Sequence, residues 1–144
     1  MEPHVPDILH VIQLVVAPVF LLTAVGTLIN ALNSRLGRAV DRRRVLEARL
    51  RELEGEQAED AREELGRIGQ RIGLVYASIL FAVLCALFVC LLIAGAFAGG
   101  FVATDVSRVI ATLFVLAMLA LIASLLLFLR EIFLAVSTPR HVPR

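Results

Sequence analysis

Lysine and tryptophan are missing from this 144-residue chain, tyrosine occurs once, and all fourteen cations are arginine. With thirteen acids against them the net charge is only +1, so the strongly basic surface that nucleic-acid binding draws on is absent. No nucleic-acid partner is expected. The two cysteines, Cys85 and Cys90, lie five apart in an apolar run. On a helix they point about 140° away from one another, which excludes a disulfide between them and makes both buried apolar fillers. No C-x-x-C, H-E-x-x-H, G-x-x-x-x-G-K or G-x-S-x-G pattern occurs, and no apolar run contains a serine, histidine and acid set. His4, Asp7 and His10 have a ligand-like spacing, but Pro3 and Pro6 interrupt the helix it requires. The expectation is a protein without enzymatic activity, with no catalytic residue, metal or cofactor.

What the chain does have is apolar length. It is 59% hydrophobic and 19% charged, with a mean hydropathy of +0.87, against about half and a quarter in globular proteins. Residues 8–30, 73–98 and 109–129 carry no charged side chain. Each reaches the roughly 20 residues that an α-helix needs to cross a bilayer core. Backbone amides cannot go unpaired in hydrocarbon, so the windows are read as helices. The fold expected is all-α and integral to a membrane, with three transmembrane helices.

Ten arginines lie between the first two windows, three follow the third, and only Arg108 lies elsewhere. That bias places the long connection and the C-terminal segment in the cytoplasm, an N-out, C-in topology. No cation precedes the first window and no A-x-A-like site ends it, so it reads as a retained anchor rather than a cleaved signal peptide. Pro6-Asp7 suits a helix entry, Gly99-Gly100 a helix stop with left-handed or flexible residues, and Thr104 or Asp105 a cap.

Between Arg35 and Arg71 the sparse apolar residues Leu36, Val40, Leu46, Leu50 and Leu53, then Leu65, Ile68 and Ile72, recur at helical spacing. Spans one and two are therefore expected to continue as a charged hairpin with its tip near Glu54-Gly55-Glu56. Arg43 with Glu47, Glu47 with Arg51, and Glu64 with Arg67 are spaced to pair along the helices. The hairpin reads as a solvated helical pair, or as a docking surface for a cytoplasmic protein or neighbouring subunits. Arg42, Arg43 and Arg44 can also touch anionic lipid.

Polar residues concentrate on one edge of span one. At 100° per residue, Thr23, Gly26, Thr27, Asn30, Asn33, Ser34 and Gly37 share an arc of about 120°, opposite Leu21, Val25, Leu28, Ile29 and Leu32. Amides and hydroxyls are costly in hydrocarbon, so this edge should face helices, a polar cavity or water. Two readings stay open: hydrogen bonding to neighbouring helices, or a pore lined by Thr23, Thr27, Asn30, Asn33 and Ser34 from several copies. Pro18 should kink the span, and His10 with Gln13 forms a polar pair at its outer end. Gly26 on span one, Gly66, Gly69, Gly73 and Ala77, and Gly95 with Gly99, are expected at close helix contacts. Span three has a comparable small-residue face at Ala117, Ala120, Ala123 and Ser124. Arg130-Glu131 reads as an interfacial ion pair or lipid contact. So many faces needing partners predict a homo-oligomer.

The strings Ile8-Leu9 with Val11 to Leu14, Ala17 to Leu22, Gly26, Asn30 to Arg38 with Asp41-Arg42, Ile68 to Ser78 and Leu127 to Ile132 resemble the bacterial domain-of-unknown-function family 2721. The resemblance implies a small three-span protein of the bacterial cytoplasmic membrane and no assigned activity. In topology alone the chain also resembles proton-channel subunits of the ExbB and TolQ type, which carry their polar residues in other spans.

Overall fold

The computed structural model describes residues 5–101 and 105–137. Three α-helices follow one another: α1 Val5–Leu50, α2 Glu56–Gly99 and α3 Ser107–Val136, and the described residues contain no strand. All three are long and apolar enough to cross a membrane, the make-up of a multi-pass membrane protein. At 46 and 44 residues, α1 and α2 are more than twice the length a bilayer core requires. Charged arms thus continue their apolar windows without a break, and α1 also stays helical through Pro18.

The arms turn at residues 51–55, where the sequence placed the tip. Gly55, at φ +66°, is the one described residue in the left-handed region, and its carbonyl accepts from the Ala58 amide at 3.1 Å to open α2. Glu56 and Glu59 in that first turn complement the positive helix end. Gly99 and Gly100 do not use a left-handed conformation. Gly99 is needed for space: a Cβ there would collide with the Val106 side chain. Of the two candidate caps for α3, Thr104 lies outside the described residues. The Asp105 carboxylate accepts bonds from the Ser107 hydroxyl and from its backbone amide. These bonds, the hydroxyl first, hold its pKa below the ordinary value. At the other end, α1 already begins at Val5, so Asp7 lies in its first turn instead of capping it.

The chain divides into two compact units, Met1–Ile29 with Phe81–Ala123, and Asn30–Leu80 with Ser124–Arg144. The first has a core of Val25, Ala82, Cys85, Val89, Ala117 and Ala120, with Leu21, Leu22, Ile29 and Phe81 packed on it. The second has Leu46, Ala61, Ile68 and Ile72, flanked by Leu36, Val40, Leu50, Leu53 and Leu65, which is the seam expected from the hairpin sequence.

Burial follows steps of three and four. On α1 the buried Val15, Pro18, Val25 and Leu32 alternate with half-buried Leu22, Ile29 and Leu36; on α2 the buried run is Ile68, Ile72, Val75, Ser78, Ala82, Cys85, Val89 and Leu92. A 3.5-residue repeat of this kind is the seam of left-handed helix packing. It corrects the glycine expectation. Gly66, Gly69 and Gly73 sit beside the seam, and a Cβ at Gly26, Gly66, Gly69, Gly73 or Gly95 would meet nothing within 4 Å. These glycines do not mark contacts between helices of one chain. Cys85 is buried but Cys90 is exposed, so only the first is a core filler. Large apolar side chains such as Phe20, Leu80, Leu119 and Leu126 face outward, as a lipid-bathed surface allows.

Candidate functional site

The most highly charged buried position is Glu131, 2% exposed, in the second unit. Its helical phase puts it there: Ala117, Ala120, Ser124 and Glu131 recur at steps of three, four and seven residues along one face of α3, and all four are buried. Each carboxylate oxygen is taken by one arginine. Oε2 accepts from Nε of Arg35 at 3.0 Å and forms an ion pair with its Nη2 at 2.8 Å; Oε1 accepts from Nε of Arg71 at 3.1 Å and from Nη2 at 3.0 Å. The guanidinium of Arg35 also lies 5.4 Å from the centre of the Phe128 ring, a cation–π distance. One carboxylate therefore ties together α1, α2 and α3.

This geometry corrects the sequence reading of Glu131, whose partners are distant in sequence and do not include Arg130. Arg130 is exposed and makes no ion pair among the described residues. A signal for the missed pair existed. Arg35 lies three residues after the fully buried Leu32, and Arg71 lies next to buried Ile72, so both flank the seam.

Seven residues before Glu131, Ser124 forms a reciprocal pair with Ser78. The Ser78 hydroxyl donates to the Ser124 carbonyl and the Ser124 hydroxyl to the Ser78 carbonyl, both at 2.7 Å, with the two residues fully buried. Each backbone carbonyl accepts this second bond beyond its place in the helix, joining α2 to α3 without an exposed polar group.

The polar edge of α1 is treated differently. Thr23 and Thr27 in the first unit, and Asn30, Asn33 and Ser34 in the second, are exposed. None bonds to another helix: the Thr23 hydroxyl donates to the Val19 carbonyl at 3.4 Å, Thr27 to Thr23 at 3.0 Å and Ser34 to Asn30 at 3.1 Å, each four residues back. The Asn30 and Asn33 amides make no hydrogen bond among the described residues. Within one chain the edge thus faces outward, while the opposite face, Val25 and Leu32, is in the core as expected. His10 and Gln13 are both exposed and not bonded to one another. His4 and the Asp7 side chain lie outside the described residues.

Along the hairpin Arg43 pairs with Glu47 as its spacing predicts. Glu64, however, takes Arg42 from the opposite arm at 2.8 Å, and Arg67 takes Glu63 in place of Glu64. Two members of the Arg42-Arg43-Arg44 cluster are therefore already paired to carboxylates.

Comparison with known proteins gives one match: the model of a family described as a protein of unknown function (DUF2721) covers residues 15–141. No curated protein and no solved structure matches the chain.

Proposed function

The chain belongs to the DUF2721 family, and from that membership and the geometry above we propose that it works as a non-enzymatic homo-oligomer of the bacterial cytoplasmic membrane, with the charged hairpin inside. The observation that carries the reading is the outward polar edge of α1. Asn30 closes the apolar span and Asn33 follows one helical turn on, both exposed and unbonded among the described residues. An unpaired amide in hydrocarbon costs about 4–8 kcal/mol on alkane transfer scales, so a membrane-embedded chain gains by covering Asn30, with Asn33 beside it at the interface. A second copy offers the same amides, self-complementary about a two-fold axis. Gly26 and Gly37, open at Cβ on the same helix, leave room for a neighbouring backbone.

Subunit counting by single-molecule photobleaching in nanodiscs tests this. Wild type should show two or more copies, and the Asn30→Leu, Asn33→Leu double variant should shift toward one while keeping its helix content. A single copy for wild type would end the proposal.

A pore along the same edge is the second reading. Thr23, Thr27 and Ser34 donate to their own helix, which leaves hydroxyl oxygen lone pairs turned outward, as a cation path needs. Liposome flux separates the two readings. Flux that Asn30→Leu abolishes and Cys85→Ala leaves intact favours the pore, and no flux under any gradient, voltage or pH removes it.

A further inference from the structure

We infer that the Arg35–Glu131–Arg71 group is a binding site for the phosphate of an anionic lipid headgroup. The first argument is depth. Arg35 lies five residues beyond the apolar window that ends at Asn30, Arg71 two before the one that begins at Gly73, and Glu131 two beyond Leu129. At 1.5 Å per helical residue these are about 3–8 Å outside the hydrocarbon. The headgroup layer occupies about 5–7 Å on each side.

The second argument is charge. Two guanidinium groups against one carboxylate leave 2 − 1 = +1, in a group whose acid is 2% exposed and whose arginines are 30% and 31% exposed. Charge balance alone needs one arginine per carboxylate. The surplus charge, held where water is scarce, calls for an anion.

The third argument is geometry. Both arginines spend the Nε and Nη2 edge on Glu131, so the Nη1 group of each remains outside these bonds. Glu131 fixes the planes of both guanidiniums, and Phe128 backs that of Arg35. The donors are thus oriented before a phosphate arrives, which lowers the entropic cost of binding it. Arg42 and Arg43, by contrast, are exposed and neutralised in one-to-one pairs.

Native mass spectrometry of the full chain, titrated with dioleoyl phosphatidylglycerol or dioleoyl phosphatidylcholine, tests the site and reads lipid bound per chain whether the protein is single or oligomeric. Wild type should prefer phosphatidylglycerol by about tenfold, and Arg71→Gln should weaken its binding about fivefold, the worth of one basic group near a membrane surface. Glu131→Gln keeps one accepting oxygen, turns an NH2 donor toward the other guanidinium and so frees it, and raises the site to +2, so it should bind phosphatidylglycerol about fivefold tighter. Arg43→Gln should bind as wild type does. A group that only staples helices would give no gain in Glu131→Gln, and that result overturns the assignment. Equal binding of the two lipids by wild type overturns it even if every variant fails to fold. Inorganic phosphate in large excess should leave the lipid bound; displacement would mean the ligand is a free anion and the lipid assignment is wrong.

Discussion

The unit built from Met1–Ile29 and Phe81–Ala123 and the unit built from Asn30–Leu80 and Ser124–Arg144 cohere by different means. The core of the first consists of small and medium apolar side chains, Val25, Ala82, Cys85, Val89, Ala117 and Ala120. In lipid the exterior is as apolar as this core, so burial supplies little driving force and close van der Waals packing must supply it. Alanine and cysteine serve because they let backbones approach. The second unit adds specific polar contacts: a three-helix ionic knot at Glu131, the reciprocal Ser78–Ser124 pair, and a leucine-rich seam between charged arms that water would reward. Directional bonds tolerate substitution poorly at the bonded atoms. Packed cores tolerate it poorly wherever volume is added.

Five substitutions or titrations test that contrast. The largest effect belongs to Glu131→Ala, which leaves Arg35 and Arg71 facing one another without a counter-charge. Breaking a buried ionic group costs about 3–5 kcal/mol, and because the arginines can partly rehydrate the loss should be near about 3 kcal/mol. Unfolding in bicelles measures it; an unchanged midpoint would show that the knot contributes nothing. Next comes Ala117→Leu, fully buried in the first unit, expected to cost about 1–3 kcal/mol by overpacking. Gly73→Ala sharpens this case. With nothing within 4 Å of its Cβ, it should stabilise α2 by about 0.5–1 kcal/mol in the single chain, and a measured loss in the assembled protein would place Gly73 against a second copy.

Ser78→Ala should cost about 0.6–1.7 kcal/mol, the range for interhelical bonds in membranes. A double-mutant cycle with Ser124→Ala should then show non-additivity, since the two hydroxyl oxygens also lie 3.1 Å apart in hydrogen-bond contact; strict additivity would mean two independent hydroxyl-to-carbonyl bonds. The smallest effect is at Asp105. Its lowered folded pKa means that its contribution is fully present above the unfolded carboxylate value of about 3.9 and is lost as pH falls through the folded value. Amide exchange at the start of α3 should quicken with acid below that range, and Asp105→Ala should remove the dependence.

Much of the architecture was legible in the residues. Charge-free windows set the three helices, Gly55 between acidic residues set the tip, and the apolar side opposite the polar edge set which face of α1 enters the core. Glycine misled along α2. A glycine reports only that bulk is missing, not which side of its helix meets a neighbour; at Gly66 and Gly69 the contrast between charged residues and Leu65, Ile68 and Ile72 marked that side, and beyond Gly73 the helix is apolar all round. The stepped run Ile68, Ile72, Val75, Ser78 and Ala82 carried that information, and it differs from the glycine stripe by a rotation of about 100° for each one-residue offset. At Glu131 the adjacent arginine suggested a local pair, but consecutive residues on a helix point about 100° apart.

The sequence by itself determined the helix count, the apolar spans, the charged hairpin and the polar edge of α1, because each depends on side-chain chemistry and helical period within one segment. Only the tertiary structure decided that Glu131 gathers Arg35 and Arg71, that Ser78 and Ser124 bond one another, and that the polar edge faces away from its own chain. Those outcomes depend on which faces of separate helices meet: the period within one segment shows which face turns inward, but not which residue 46, 60 or 96 positions away it will meet.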